Sequence, residues 1–103
     1  MSVLMEFAMF PTDKGESVSG YVSRIIKMIE GERFSYQLTS MGTIIETSTM
    51  RDALMVIEKA YEELEKDCNR IYSTIKLDIR KNKDNRMEGK IRSIEQKIGK
   101  IKR

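Results

Sequence analysis

The sequence has no histidine and no tryptophan, one cysteine, Cys68, and one proline, Pro11. The missing imidazole removes the side chain that ordinarily exchanges a proton near neutral pH, and with it every mechanism that needs a histidine base. A lone thiol cannot close an intrachain disulfide or build a thiolate zinc cluster. Long apolar runs are missing as well: charged residues make up 34% of the chain, and its apolar stretches fall far short of the roughly 20 residues that span a bilayer. The opening residues Met1-Ser2-Val3-Leu4-Met5-Glu6 carry neither the basic start nor the apolar segment of an export signal. The expectation is a cytoplasmic protein without a membrane segment. Gly15 and Gly20 fit neither the dinucleotide nor the P-loop spacing, so a phosphate cradle has no support.

What is present suffices for one core. A chain of 103 residues, 40% of them apolar, can fill one modest interior and leaves no room for a separate catalytic module. The net charge of +3 hides an asymmetry. Residues 79–103 hold ten lysines and arginines against three acidic residues, whereas residues 1–78 hold nine against thirteen. An acidic body with a basic tail argues against a nucleic-acid reader spread over the domain, and the tail reads first as a solvated helix face. RNA binding through that tail is the third-ranked reading, because the fourth strand offers only Tyr72, Lys76 and Arg80 where an RNA-binding sheet interleaves several aromatics with basic residues.

The pattern of apolar residues predicts the elements. Val3 to Phe10 has the density of a strand, ended by Pro11 and the turn Thr12-Asp13-Lys14-Gly15. Ser17 is placed to cap a helix in which Val18, Tyr21, Val22, Ile25, Ile26 and Ile29 recur at helical spacing until Gly31. Phe34–Thr39 and Thr43–Ser48 read as a hairpin about Ser40-Met41-Gly42. Thr49-Met50-Arg51-Asp52 resembles a capping box at the head of a helix running to about Asp67. Arg70–Arg80 alternates, with Ile71, Ile75, Leu77 and Ile79 on one side and Tyr72, Thr74, Lys76, Asp78 and Arg80 on the other.

The order βαββαβ specifies an α+β, ferredoxin-like fold in which two helices cover one face of a four-stranded antiparallel sheet. Residues 1–81 form this domain. Residues 82–103 form a basic C-terminal helix with a heptad stripe Met87, Ile91, Ile94, Ile98 and Ile101, too short for an independent coiled coil and expected to dock on the domain or on a neighbouring subunit. The second sheet face carries the Tyr72–Arg80 set and one register of the first strand, either Val3, Met5, Phe7, Met9 or Leu4, Glu6, Ala8, Phe10. Either leaves apolar side chains to cover, which predicts at least a dimer through the open sheet face.

Two features bear on chemistry. Seven of the eight methionines fall in apolar registers or in the hairpin turn, where core filling is the simplest role. Gly42-Thr43-Ile44-Ile45-Glu46 brings a permissive glycine, a hydroxyl and a carboxylate together on one strand. Thr43 and Glu46 are three apart, so on a regular strand they face opposite sides and only a bulge lets both reach one ligand.

The segment Tyr36-Gln37-Leu38-Thr39-Ser40-Met41-Gly42-Thr43-Ile44-Ile45-Glu46 resembles the YkoF-like thiamine-binding family. Pro11 at the end of the first strand, the Ser17-Val18-Ser19-Gly20-Tyr21-Val22 helix start and the closing strand from Arg70-Ile71 to Arg80 are similar to that family too. The resemblance implies a non-catalytic ferredoxin-like protein that dimerises through its sheet, often forms tetramers, requires no cofactor and binds thiamine or its hydroxymethylpyrimidine part. A cationic thiazolium joined to an aminopyrimidine asks for a carboxylate, hydroxyls and an aromatic or apolar wall. Glu46 is the candidate for the charge. Thr43, Ser17 and Ser19 are candidates to hydrogen-bond the pyrimidine, and Tyr36, Met9 and Phe10 to form the wall. Ser17 as a cap, Thr43 as a strand former and Tyr36 as core are the simpler roles for three of them. An interaction module with no small ligand is the alternative reading.

Overall fold

A computed structural model describes all residues from Met1 to Arg103. Its elements run β1 (Ser2–Pro11), α1 (Ser19–Gly31), β2 (Ser35–Thr39), β3 (Gly42–Thr47), α2 (Met50–Glu65), β4 (Ile71–Arg80) and α3 (Arg86–Ile98). The four strands form one antiparallel sheet in the order β2-β3-β1-β4. This is the ferredoxin-like arrangement expected from the element order, with β1 and β3 central because each crossover helix carries the chain past one strand.

The register settles which side of β1 is inside. Val3, Met5, Phe7 and Met9 are buried with Ile45, Ile25 and Ile29 and with the small face of α2, Ala53, Val56, Ala60 and Leu64. Leu4, Glu6, Ala8 and Phe10 face the other side. Alanines at 53 and 60 let α2 lie close to the sheet, while Leu64 closes the far end. Thr49 caps α2 as its sequence suggested, its Oγ1 accepting the Asp52 N–H at 3.1 Å. Helix α1 departs from expectation. It begins at Ser19 with Val18 at the capping position and no side-chain cap, so Ser17 lies too early to receive a helical amide.

Main-chain pairing also follows from the register. The hairpin closes at Thr39 and Gly42, and alternate pairs then turn Gly42, Ile44 and Glu46 toward β2 and Thr43, Ile45 and Thr47 toward β1. The odd residues of β1 therefore bond to β3 and the even ones to β4; the Thr12 N–H to Arg70 carbonyl bond of 2.8 Å continues that second ladder. The β3 ladder stops at Phe7–Thr43, whereas β1 runs on to Pro11. Proline fits there because its missing N–H falls on the side where β3 has already ended.

Strand β4 is paired on one edge only, and its apolar residues are not enclosed. Ile75, Leu77 and Ile79 share the helix side with Phe7, Met5 and Val3, yet they remain 44%, 40% and 46% exposed because the helices stop short of this edge. On the opposite face α3 packs its first turns against the Ser2 and Thr47 ends of β1 and β3. Met87 and Ile91 are half-buried there, while Ile94 and Ile98 are exposed.

Candidate functional site

A cavity of about 300 Å³ opens where β1 outruns β3. Its walls are Phe7 and Met9 of β1, Val18, Val22, Ile25 and Ile26 along α1, and the hairpin residues Leu38 to Thr43. The size matches the lower end of small-ligand sites, and the lining is mostly apolar with few polar groups, as such sites usually are. Amphipathic α1 supplies one wall because Val18, Val22 and Ile25 fall on one stripe. The hairpin supplies the other because Thr39 folds it tightly, its Oγ1 donating to the Gly42 carbonyl at 2.9 Å and accepting the Met41 N–H at 3.2 Å. Gly42 is needed for space rather than for an unusual backbone angle. A Cβ there would lie 2.9 Å from the Phe7 carbonyl oxygen, and only Gly15 and Gly99 among the glycines have positive φ.

The polar groups at the cavity are few and specific. Thr43 is 4% exposed, lines the cavity and sits opposite Leu38 across the hairpin. The main-chain N–H and carbonyl of Met9 lie on the β3 side of β1, one step beyond the last ladder pair. No carboxylate or cationic side chain lines the space.

Glu46 is elsewhere. The β1–β3 pairing runs without a bulge from Val3–Thr47 to Phe7–Thr43, so Glu46 faces the opposite side of the sheet from Thr43. There it accepts the N–H groups of Arg86 at 2.8 Å and Met87 at 3.0 Å, closing the first turn of α3 as a carboxylate at a helix N-terminus does. Partial burial pushes its pKa up, but the two amides, the Ser2 hydroxyl and the Arg86 charge outweigh this and leave it below the usual carboxylate value. Arg86 completes the joint. It is 2% exposed and donates Nε to Ser2 Oγ at 2.8 Å, Nη2 to the Ser2 carbonyl at 3.0 Å and also to the Asp78 carbonyl. Its Nη1 pairs with the Asp78 carboxylate at 3.1 Å, which Lys90 also reaches at 3.0 Å.

This joint predicts an acid-sensitive helix. A carboxylate whose folded pKa is depressed stabilises the native state above its unfolded value and loses that contribution as pH falls through the folded value. Glu46 and Asp78 are both lowered, Asp78 by Lys90 and then Arg86. Protection of the α3 amides in hydrogen exchange is therefore expected to fall below about pH 4, before the core opens. In Glu46→Gln that protection should already be reduced at neutral pH and depend less on acid. Equal protection in the two proteins throughout would contradict it.

Of the other residues singled out in the sequence, Met9 and Thr43 face into the cavity, whereas Phe10 only borders it: its ring lies on the opposite face of the sheet, tilted against Tyr72 at 5.9 Å between centroids, and does not form the wall expected of it. Ser17 and Ser19 are exposed just outside it, and Val18 between them forms the wall instead. Tyr36 packs on the core from β2; desolvation and the nearby Glu30 carboxylate raise its hydroxyl pKa. Val22, Ile25, Ile26 and Leu38 were not foreseen as cavity residues. The signal for the three α1 residues was the helix stripe itself, which reads as core until the hairpin is seen to stop short of it; Leu38, on β2, gave none beyond its place in the strand. Arg86 gave no signal, as one basic residue among ten.

The chain belongs to the thiamine-binding protein family, whose model matches residues 5–95. It is 32% identical over 92 residues to a UPF0045 protein of Methanocaldococcus jannaschii, covering 89% of this chain and 91% of that one. It is 36% identical over 83 residues to the UPF0045 protein YqgV of Bacillus subtilis, covering 76% and 79%. A crystal structure of the Methanocaldococcus jannaschii hypothetical protein superposes with a TM-score of 0.81 at 31% identity, covering 90% of this chain and 95% of that one. A Thermotoga maritima protein named for thiamine biosynthesis or salvage gives 0.78 at 15% identity, covering 91% and 99%, a likeness of fold. No helix is long and apolar enough to cross a membrane.

Proposed function

We propose that the chain is a non-catalytic binding protein that holds the pyrimidine part of thiamine, or a similar flat neutral heterocycle, in the cavity between α1 and the β2–β3 hairpin. The observation that carries this reading is the make-up of the cavity: about 300 Å³, apolar walls, the Thr43 hydroxyl and the unladdered main chain of Met9. A planar ring with adjacent donor and acceptor atoms, such as an aminopyrimidine, matches a strand's N–H and carbonyl in the way another strand does. The family name points to the same ligand. The absence of a carboxylate in the wall favours the neutral ring over the cationic thiazolium, so Glu46 is not part of the site. Nothing at the cavity acts as a general base, which supports binding without turnover.

Isothermal titration with thiamine, its hydroxymethylpyrimidine fragment and its thiazole fragment tests the reading. Saturable, salt-insensitive binding of the first two and none of the third is the expected result. Val22→Trp, which fills the cavity, should abolish binding; Thr43→Val should weaken it about tenfold, the worth of one good hydrogen bond; Glu46→Gln should leave it unchanged. Binding that survives Val22→Trp, or that is lost in Glu46→Gln, would place the ligand elsewhere.

A further inference from the structure

The end of β4 and the first turns of α3 enclose a second cavity, of about 340 Å³, lined by Arg80, Lys83, Arg86, Lys90, Ser93 and Ile94. Four of these side chains are cationic and none is acidic. Three elements bring them together. Arg80 is the last residue of β4, paired with Ser2, on the sheet face where α3 packs. Lys83 stands in the link between the two elements. Arg86, Lys90 and Ser93 follow at spacings of four and three and so share one flank of α3. The other flank has the reverse charge. Glu88 and Glu95 lie there, and Arg103 folds back to pair with them at 3.1 and 2.9 Å. The fold thus sorts the basic tail, sending its terminal arginine to the acidic flank and the cations nearer the sheet to the cavity.

A solvated face would let these charges spread apart, and this arrangement does not. Arg80 and Lys83 have no acidic partner. Asp78 is the one carboxylate paired with any of the four, held by Arg86 at 3.1 Å and by Lys90 at 3.0 Å. Arg86 cannot swing away to relieve the crowding, because it is buried and tied to Ser2 and to the Asp78 carbonyl. A concave surface lined by one sign of charge concentrates the field and draws in a counter-ion. Guanidinium and ammonium groups are the side chains that recognise phosphate oxygens, and Ser93 adds a hydroxyl.

We propose that this cavity binds a small molecule through a diphosphate group. Charge decides the class: one phosphate group carries about −1.5 to −2 at neutral pH, which leaves four cations and one aspartate still positive, whereas two joined phosphates balance them. A nucleic-acid strand needs a groove that tracks its backbone, and this cluster is confined to one end of the sheet, with an acidic flank across the helix. The site is also separate from the apolar cavity. Met9 and Ser2 stand seven residues apart on β1, about 23 Å in a strand, and the two cavities open on opposite faces of the sheet. One small ligand cannot fill both, so this site stands or falls independently of the pyrimidine reading.

Isothermal titration of the full chain with inorganic diphosphate and with orthophosphate, in moderate salt, tests the site. Diphosphate should saturate at one per chain, with orthophosphate about tenfold weaker or more. Arg80→Gln and Lys83→Gln remove exposed groups that no ion pair uses, so the fold should survive both by circular dichroism. Each should weaken diphosphate about tenfold, the lower end of what a hydrogen bond to a charged group contributes. Lys102→Gln deletes the same charge outside the cavity and should leave the affinity within about twofold, since distant exposed charges are screened by salt. Diphosphate should also raise the melting temperature of the parent more than that of Lys83→Gln. Absence of diphosphate binding would overturn the proposal. So would equal weakening by Lys83→Gln and Lys102→Gln, which would reduce the effect to unspecific attraction by the tail, or tighter binding of a uridine oligonucleotide than of diphosphate, which would make this surface a nucleic-acid contact.

Discussion

Arg86→Ala is expected to cost about 3 kcal/mol of stability, the lower end of what removing one member of a buried ion pair costs. The lower end applies because the abandoned partner, Asp78, has a side chain 56% exposed and can rehydrate. The Ser2 and Asp78 carbonyls and the Ser2 hydroxyl lose their donor, and α3 loses its anchor. For a domain of this size the melting temperature should fall by roughly 10–20 °C. Arg86→Lys should recover little of this, since an ammonium cannot fork to Ser2 and Asp78 together. Thermal and urea denaturation of the three proteins is the check. A loss below about 0.5 kcal/mol, the range of ordinary surface substitutions, would mean that the joint contributes nothing.

Gly42→Ala is expected to affect both the fold and the ligand. The added methyl would sit 2.9 Å from the Phe7 carbonyl oxygen and 3.5 Å from its carbon, and the obstacle is backbone, which cannot rotate away. Strand β3 must move off β1 at the last pair of their ladder. Such overpacking costs about 1–3 kcal/mol, and because the displaced segment is the cavity wall, affinity for the pyrimidine fragment should fall with it. Denaturation and titration on the same preparation separate the two effects. Full stability together with full affinity would show that the hairpin yields without cost.

Much of this was legible in the sequence because it depends on periodicity. The strand and helix order, the Thr49 cap and the opposed faces of Thr43 and Glu46 follow from spacing alone, and the structure has each of them. Reading the register of β1 required knowing where the helices lie, because apart from Glu6 both registers are apolar. The start of α1 differs because Ser17 has the right chemistry one residue before the capping position, and the chain enters the helix through Val18 without a side-chain cap. Glu46 invited a ligand role because a carboxylate beside a hydroxyl is suggestive in one dimension. Its partners, the amides of Arg86 and Met87, are forty residues away in the chain and carry no pattern. The exposure of Ile75, Leu77 and Ile79 was equally hidden, since alternation tells which face a residue takes but not how far a helix extends over it.

The ten-residue β1 beside the six-residue β3 gives the cavity two kinds of lining. Past Phe7 the strand offers its own N–H and carbonyl at Met9, and no side-chain substitution other than proline removes either atom. The walls, in contrast, are ordinary apolar side chains on α1 and the hairpin, which can be exchanged for others of different bulk. If the proposed site holds a ring, a lineage of such chains can therefore retune which ring fits while the main-chain groups of Met9 stay in place, so that ligand preference would drift faster than ligand pose.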